Sequence, residues 1–95
     1  KHNDAYYNRG IEKYNLKDYK GSIKDFSSLI ELNQNDANAY MFRGFVYLEM
    51  KKIDEACIDV NKAYALGQKD ALKYINQYCK WQQTMKCNIK KSANT

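Results

Sequence analysis

The stretch NAYMFRGFVYLEM, residues 38–50, decides the fold. Only Asn38, Arg43 and Glu49 in it are strongly polar. A helix that is apolar nearly all round needs cover on its whole circumference, so this segment reads as a central, buried helix. No Pro interrupts it, and Gly44 sits mid-run, where glycine costs about 1 kcal/mol against alanine. A glycine kept there implies the close approach of another backbone. Gly10 stands 34 residues earlier, inside DAYYNRGIEKYNL, residues 4–16. The same helix is written twice.

The flanking segments extend this pattern in both directions. Asp4 is placed to cap a helix running to about Leu16, and Lys17 with Asp18 breaks it. Asp18 caps a second helix, Tyr19 to about Leu32, in which Tyr19, Ile23, Phe26, Leu29 and Ile30 share one face. The polar turn NQND, residues 33–36, ends in Asp36, the cap of the central helix. A fourth helix, Ile53 to Leu66, turns Ala56, Val60 and Ala63 inward and is closed by Gly67. Asp70 caps a fifth, from Ala71 to near Met85. No strand pattern competes, so the chain is predicted to be all-α.

Residues 3–36 and 37–70 align at an offset of 34 with nine identities, against roughly two by chance. They are Ala5/Ala39, Tyr6/Tyr40, Arg9/Arg43, Gly10/Gly44, Lys17/Lys51, Asp25/Asp59, Leu32/Leu66, Gln34/Gln68 and Asp36/Asp70. Ala71 and Tyr74 begin a third copy, in step with Ala37 and Tyr40. A 34-residue helix–turn–helix unit, with an aromatic, a glycine four residues on and a small residue twelve further, resembles the tetratricopeptide repeat (TPR). The departures are Tyr6 and Tyr40 where the family usually has Trp, and Arg9 and Arg43 where Leu is commoner. Lys13 replaces the Tyr kept at Tyr47, Val60 the aromatic kept at Phe26, and Gln34 and Gln68 the usual Pro. The resemblance covers about residues 3–79 and implies a right-handed α-solenoid fragment, with one domain expected over residues 3–85. It consists of repeat 1 (3–36), repeat 2 (37–70) and a capping helix (71–85), followed by a basic, poorly ordered tail (86–95). Gly10 and Gly44 would then let each first helix approach its partner at Ser22 and Ala56.

Ninety-five residues make one domain with a modest core. The absence of an initial Met reads as an excised or processed piece of a longer chain. No apolar run reaches the length of a membrane span, and no signal-peptide pattern is present. Residues 1–70 carry eleven basic and eleven acidic side chains, so the net +5 comes from Lys73, Lys80, Lys86, Lys90 and Lys91. A basic end can hold an anionic partner, but only Trp81 lies near it for base stacking; a solvated tail is expected, not nucleic-acid binding.

No catalytic constellation is legible. The one histidine, His2, lies at a frayed end, and Asp54 with Glu55 marks a helix start, where acids favour the dipole. Cys57, Cys79 and Cys87 lack CxxC spacing and a second ligand type, so neither metal nor cofactor is expected. What remains is binding. Tyr6, Gly10 and Lys13, like Tyr40, Gly44 and Tyr47, form the stripe of each first helix that meets its own second helix. One residue on lies a second apolar stripe: Tyr7, Ile11 and Tyr14, then Met41, Phe45 and Leu48, then Leu72 and Ile75. The resemblance implies that this stripe lines a concave, aromatic groove for a protein or peptide. The same residues could instead fill helix seams, pack on further repeats as a structural end-cap, or join two copies as a homodimer. A TPR subclass grips the C-terminal carboxylate of chaperones with a Lys/Asn/Arg clamp. Here Tyr7, Ile11, Phe42, Leu72 and Asn76 occupy the clamp positions, so that clamp is not expected.

The cysteines bear on compartment. The resemblance extends to a bacterial TPR variety, frequent in exported proteins, that carries Cys where Cys57 and Cys79 stand. This implies that the two face each other across antiparallel helices and can form a disulfide, leaving Cys87 free. The alternative is a small core residue and a groove-edge thiol, as reducing cytosol would keep them. Cytoplasmic and exported locations both stay open.

Overall fold

The computed structural model describes residues 2–79. It contains α1 (His2–Asn15), α2 (Tyr19–Leu32), α3 (Ala37–Glu49), α4 (Ile53–Ala65) and α5 (Ala71–Tyr74), followed by a π-helical turn, Ile75–Cys79. The described residues are all-α, two helical hairpins and the start of a third unit stacked as a repeat solenoid. The helix ends fall within a residue of those expected for α2, α3 and α4.

Local chemistry sets most of these ends. Asp18 accepts a hydrogen bond from the Gly21 N–H at 3.1 Å, and Asp36 one from the Ala39 N–H at 3.2 Å, each satisfying an orphan donor of the first turn. The C-termini close with paired backbone bonds. At α1, the Lys17 N–H reaches the Tyr14 carbonyl at 3.0 Å and the Asp18 N–H that of Lys13 at 2.8 Å. The α3 and α4 ends repeat the pattern, through Lys51 with Lys52 and through Gly67 with Gln68. These closures demand a left-handed residue at the turn, and φ is 65° at Lys17, 62° at Lys51 and 107° at Gly67.

Three expectations need correction. Helix α1 begins at His2, so Asp4 lies inside its first turn, where it complements the helix dipole instead of capping. Asp70 makes no side-chain cap bond. The fifth helix does not continue as a regular α-helix: it gives way after Tyr74 to the π turn. Ala71, Ile75 and Cys79, spaced four residues apart, all lie on the face that packs against α4. The expected continuation to Met85, the basic tail and Cys87 lie outside the described residues.

The core has two parts. Phe26, Leu29, Ala39 and Val46 form one, with Tyr7, Ile23, Phe42 and Met50 packed against it, and so seal α2 to α3. Met41, Cys57, Val60, Ala63, Ala71, Ile75 and Cys79 form the other, joining α3, α4 and the third unit. Helix α3 is common to both, which is why its sequence is apolar on nearly every side. The close approach inferred at the glycines is present. The Ser22 hydroxyl donates to the Gly10 carbonyl at 2.7 Å, and a Cβ on Gly10 would lie 2.9 Å from the Phe26 ring. A Cβ on Gly44 would lie 2.9 Å from a Val60 methyl.

Candidate functional site

Each hairpin is braced by an ion pair that orients its first helix. Arg9 donates to Asp25 through Nε at 3.0 Å and Nη2 at 2.7 Å, with Lys13 Nζ 3.5 Å away. Arg43 donates to Asp59 through Nε and Nη2, both at 2.8 Å, and through Nη1 to the Ser27 hydroxyl of the preceding hairpin at 3.1 Å. The carboxylates are 1% and 2% exposed, so planar two-point pairing is what makes their burial tolerable. The hydrogen bond from Arg9 outweighs burial and, with Lys13, holds the Asp25 carboxyl below its ordinary range. Hydrogen bonding to Asp59 in turn raises the Arg43 guanidinium. The guanidinium groups of Arg9 and Arg43 lie 5.6 and 5.7 Å from the Tyr6 and Tyr40 ring centroids. The braces escaped the sequence reading, although their signal was present: both partners recur at offset 34, sixteen residues apart in each repeat.

With the first helices so fixed, their other faces align into an aromatic row. Tyr7 of α1 lies 6.0 Å from Phe42 of α3, Phe42 lies 6.2 Å from Phe45, and Phe45 lies 4.8 Å from Tyr74 of α5 in an edge-on contact. Phe26 stacks beneath Phe42 at 5.5 Å. The row therefore crosses all three units. Three recesses open along it, and Phe45 is a wall of each. One of about 190 Å³ lies toward α1, between Ile11, Tyr14 and Phe42. One of about 430 Å³ lies toward α5, with Met41 and Phe42 as apolar floor and Asn38, Gln68, Asp70 and Lys73 as rim. The third, about 260 Å³, is bounded by Tyr14, Leu48, Glu49, Tyr74 and Tyr78.

Polar contacts hold the tyrosines in place. The Tyr7 hydroxyl donates to Asp36, tying α1 to the cap of α3, and the Tyr14 hydroxyl donates to Glu49 at 3.1 Å. Burial, then the neighbouring carboxylate, pushes the ionisation of both phenols above its ordinary value, so both remain neutral donors. The Gln68 side-chain amide donates to Asn38 at 2.6 Å across the rim of the recess toward α5.

Of the residues expected on the groove, Tyr7, Tyr14, Phe45 and Leu48 are half-buried and Ile11 is 37% exposed. Met41 is buried, contributing only to the recess floor, and Ile75 is buried in the core beside Ala71 and Cys79, against α4. Leu72 is exposed but lines none of the three recesses. Phe42, Tyr74 and Tyr78 line them and were not in the expected stripe. Tyr74 was hidden by its register with Tyr40, which lies beside Val60-bearing α4 in its own hairpin. Tyr74 instead makes its ring contact with Phe45, on the other side of the helix pair. Cys57 and Cys79 are joined as a disulfide, with α-carbons 5.7 Å apart.

The family model described as tetratricopeptide repeat matches residues 4–36 and again 37–70. Over 59 residues, 62% of the chain, the sequence is 37% identical to Hsp70-Hsp90 organizing protein 1 of Arabidopsis thaliana. It is 34% identical, over a stretch of the same length, to the Hsp70-Hsp90 organizing protein of Triticum aestivum. The match spans about a tenth of the length of each relative.

Proposed function

The chain belongs to the tetratricopeptide repeat family, and from that premise we propose that it is a protein-interaction module whose concave face, centred on Phe45, holds an apolar or aromatic segment of a partner protein. The observation that carries this reading is the aromatic row from Tyr7 to Tyr74, with three recesses meeting at one half-exposed ring. Recesses of about 190 to 430 Å³ suit side chains of leucine to tryptophan size, and buried aromatic anchors dominate the energy of such contacts. The rim amides of Asn38 and Gln68 can pair with the backbone of the bound segment.

The relatives carry Hsp70 and Hsp90 in their names, but this face does not favour capture of a chain terminus by the charged clamp of the chaperone-binding TPR subclass. Tyr7, Ile11, Phe42, Leu72 and Asn76 stand at the clamp positions, and the carboxylates of Asp36 and Glu49 lie beside this face. An anionic chain terminus would meet apolar rings and like charge there. A neutral or basic apolar segment fits better.

Selection of displayed random peptides on the full chain tests the proposal. The expected winners are rich in Leu, Ile, Phe and Trp and bind equally as free acids and as amides. Phe45→Glu is expected to weaken them more than tenfold with the helical circular dichroism retained. Because Phe45 also packs on Tyr74, Ile11→Asp at the exposed edge provides a second variant with less risk to the fold. Binding untouched by both variants, or winners that demand a free carboxylate, would overturn the reading. A concentration-dependent dimer dissolved by Ile11→Asp would assign the face to a second copy instead.

A further inference from the structure

The Cys57–Cys79 bridge lies directly behind one wall of the concave face, and we propose that its redox state decides whether that face is complete. The inference rests on the reading of the face as a docking surface. Residues 71–79 supply Tyr74 and Tyr78, which bound two of the three recesses, and Tyr74 makes the closest ring contact to Phe45. Yet this segment has little of its own to hold it. It comprises four α-helical residues and a five-residue π turn, with no side-chain cap at Asp70. Its buried anchors are Ala71, Ile75 and Cys79, and the last is fastened covalently to α4 across a sequence separation of 22. Among the described residues, without the bridge one methyl group, one isoleucine and a thiol are the buried anchors left to keep Tyr74 against Phe45.

The chemistry needs a dithiol reductant. Its thiolate attacks one sulfur of the bridge and releases the other as a thiolate, which takes up a proton. The reductant's second thiol then resolves the mixed disulfide, leaving two cysteine thiols and an oxidised, cyclic reductant. Cys57 and Cys79 are 4% and 1% exposed, so attack requires the segment to lift. The same movement takes Tyr74 off the recess wall. Coupling is therefore reciprocal: a segment docked against Tyr74 holds the wall down and slows reduction of the bridge.

The test uses the full chain as Cys87→Ser, so that no third thiol reshuffles the bridge. Amide exchange of residues 71–79 and the Phe45–Tyr74 ring contacts in NMR spectra are compared before and after dithiothreitol. Reduction is expected to lower protection in 71–79 roughly a hundredfold, from the loop-closure constraint lost, and to erase the ring contacts while α1 to α4 keep theirs. Further substitution of Cys57→Ala and Cys79→Ala should reproduce the reduced state without reductant. A peptide selected on the oxidised chain should bind the reduced one at least tenfold more weakly and should slow reduction when bound. Unchanged protection and ring contacts after reduction would overturn the proposal. So would a loosened segment with undiminished peptide affinity, although the docking reading would then stand. If no peptide binds either form, the docking reading fails, and exchange and ring contacts alone decide whether the bridge holds the wall.

Discussion

Arg43 does three things with one guanidinium: it pairs with Asp59 at two points, bonds Ser27 of the neighbouring hairpin and covers the Tyr40 ring. Removing it leaves Asp59, 2% exposed, as a buried charge with its partner gone. Arg43→Ala should therefore lower unfolding stability by about 3 kcal/mol or more in urea titration, whereas Arg43→Met with Asp59→Leu should recover most of the loss. The desolvation cost disappears with the charge, so an equal loss in both variants would show that packing on Tyr40 matters more than the ion pair. Asp25 gives the matching statement about pH. Its folded carboxyl titrates below the ordinary value of 3.8, so it contributes stability that is fully present above that value and is lost as pH falls through the folded one. The stability difference between the wild type and Asp25→Asn should be constant above about pH 5 and shrink below about pH 4. A difference that grew on acidification would contradict the assigned direction.

At the scale of elements, the turns explain why α1 and α3 end where they do and also where the sequence was least legible. Lys17 and Lys51 each occupy a left-handed position, at φ 65° and 62°, that the α4 end gives to Gly67. Their recurrence at offset 34 was visible, but a lysine does not announce positive φ as glycine does, so only the third closure could be read. Lys51→Gly should raise stability by about 0.5–1 kcal/mol, since relief of the left-handed cost exceeds the added freedom of the unfolded chain. Thermal melts check this, and a decrease would mean that the Lys51 stem makes contacts worth more than the backbone relief. Periodicity located α2, α3 and α4 to within a residue because each carries a long apolar face between strong breaks. It failed after Tyr74, because a π turn and an α-helix place Ile75 and Cys79 on one face equally well. The sequence pattern is the same for both, and only packing against α4 separates them. Ile75, three residues past Leu72 and four past Ala71, fits a groove stripe or a core face by spacing, and it lies in the core.

For the whole molecule the asymmetry of the two hairpins matters most, and it can be read by comparing equivalent positions. The seam between hairpins is sealed on the α3 side by Ala39, Phe42, Val46 and Met50 against Phe26 and Leu29. The equivalent positions of the first repeat are Ala5, Asn8 and Glu12 of α1 and Leu16 just after it, all exposed, Leu16 to 72%. The backbone of the repeat is thus equal on both faces, but only one is written to be covered. Helix α1 therefore lacks the apolar residues with which α3 seals against α2. Asn8→Phe with Glu12→Val would rewrite α1 in the image of α3. The doubly substituted chain should keep its helical content, because both positions are solvent-facing, and should expose an apolar stripe continuous with Leu16. Such a stripe on a small domain exceeds what a monomer leaves uncovered, and two copies can hide it by pairing α1 against α1 about a two-fold axis. Light scattering across a concentration series should show the variant passing from monomer to dimer at concentrations where the wild-type state does not change. Phe45→Glu added to the pair should leave this dimer intact, since the proposed docking face around Phe45 takes no part in it. If the variant does not associate, the polarity of Asn8 and Glu12 is not what keeps α1 free, and the shape of the helix must exclude a neighbour instead.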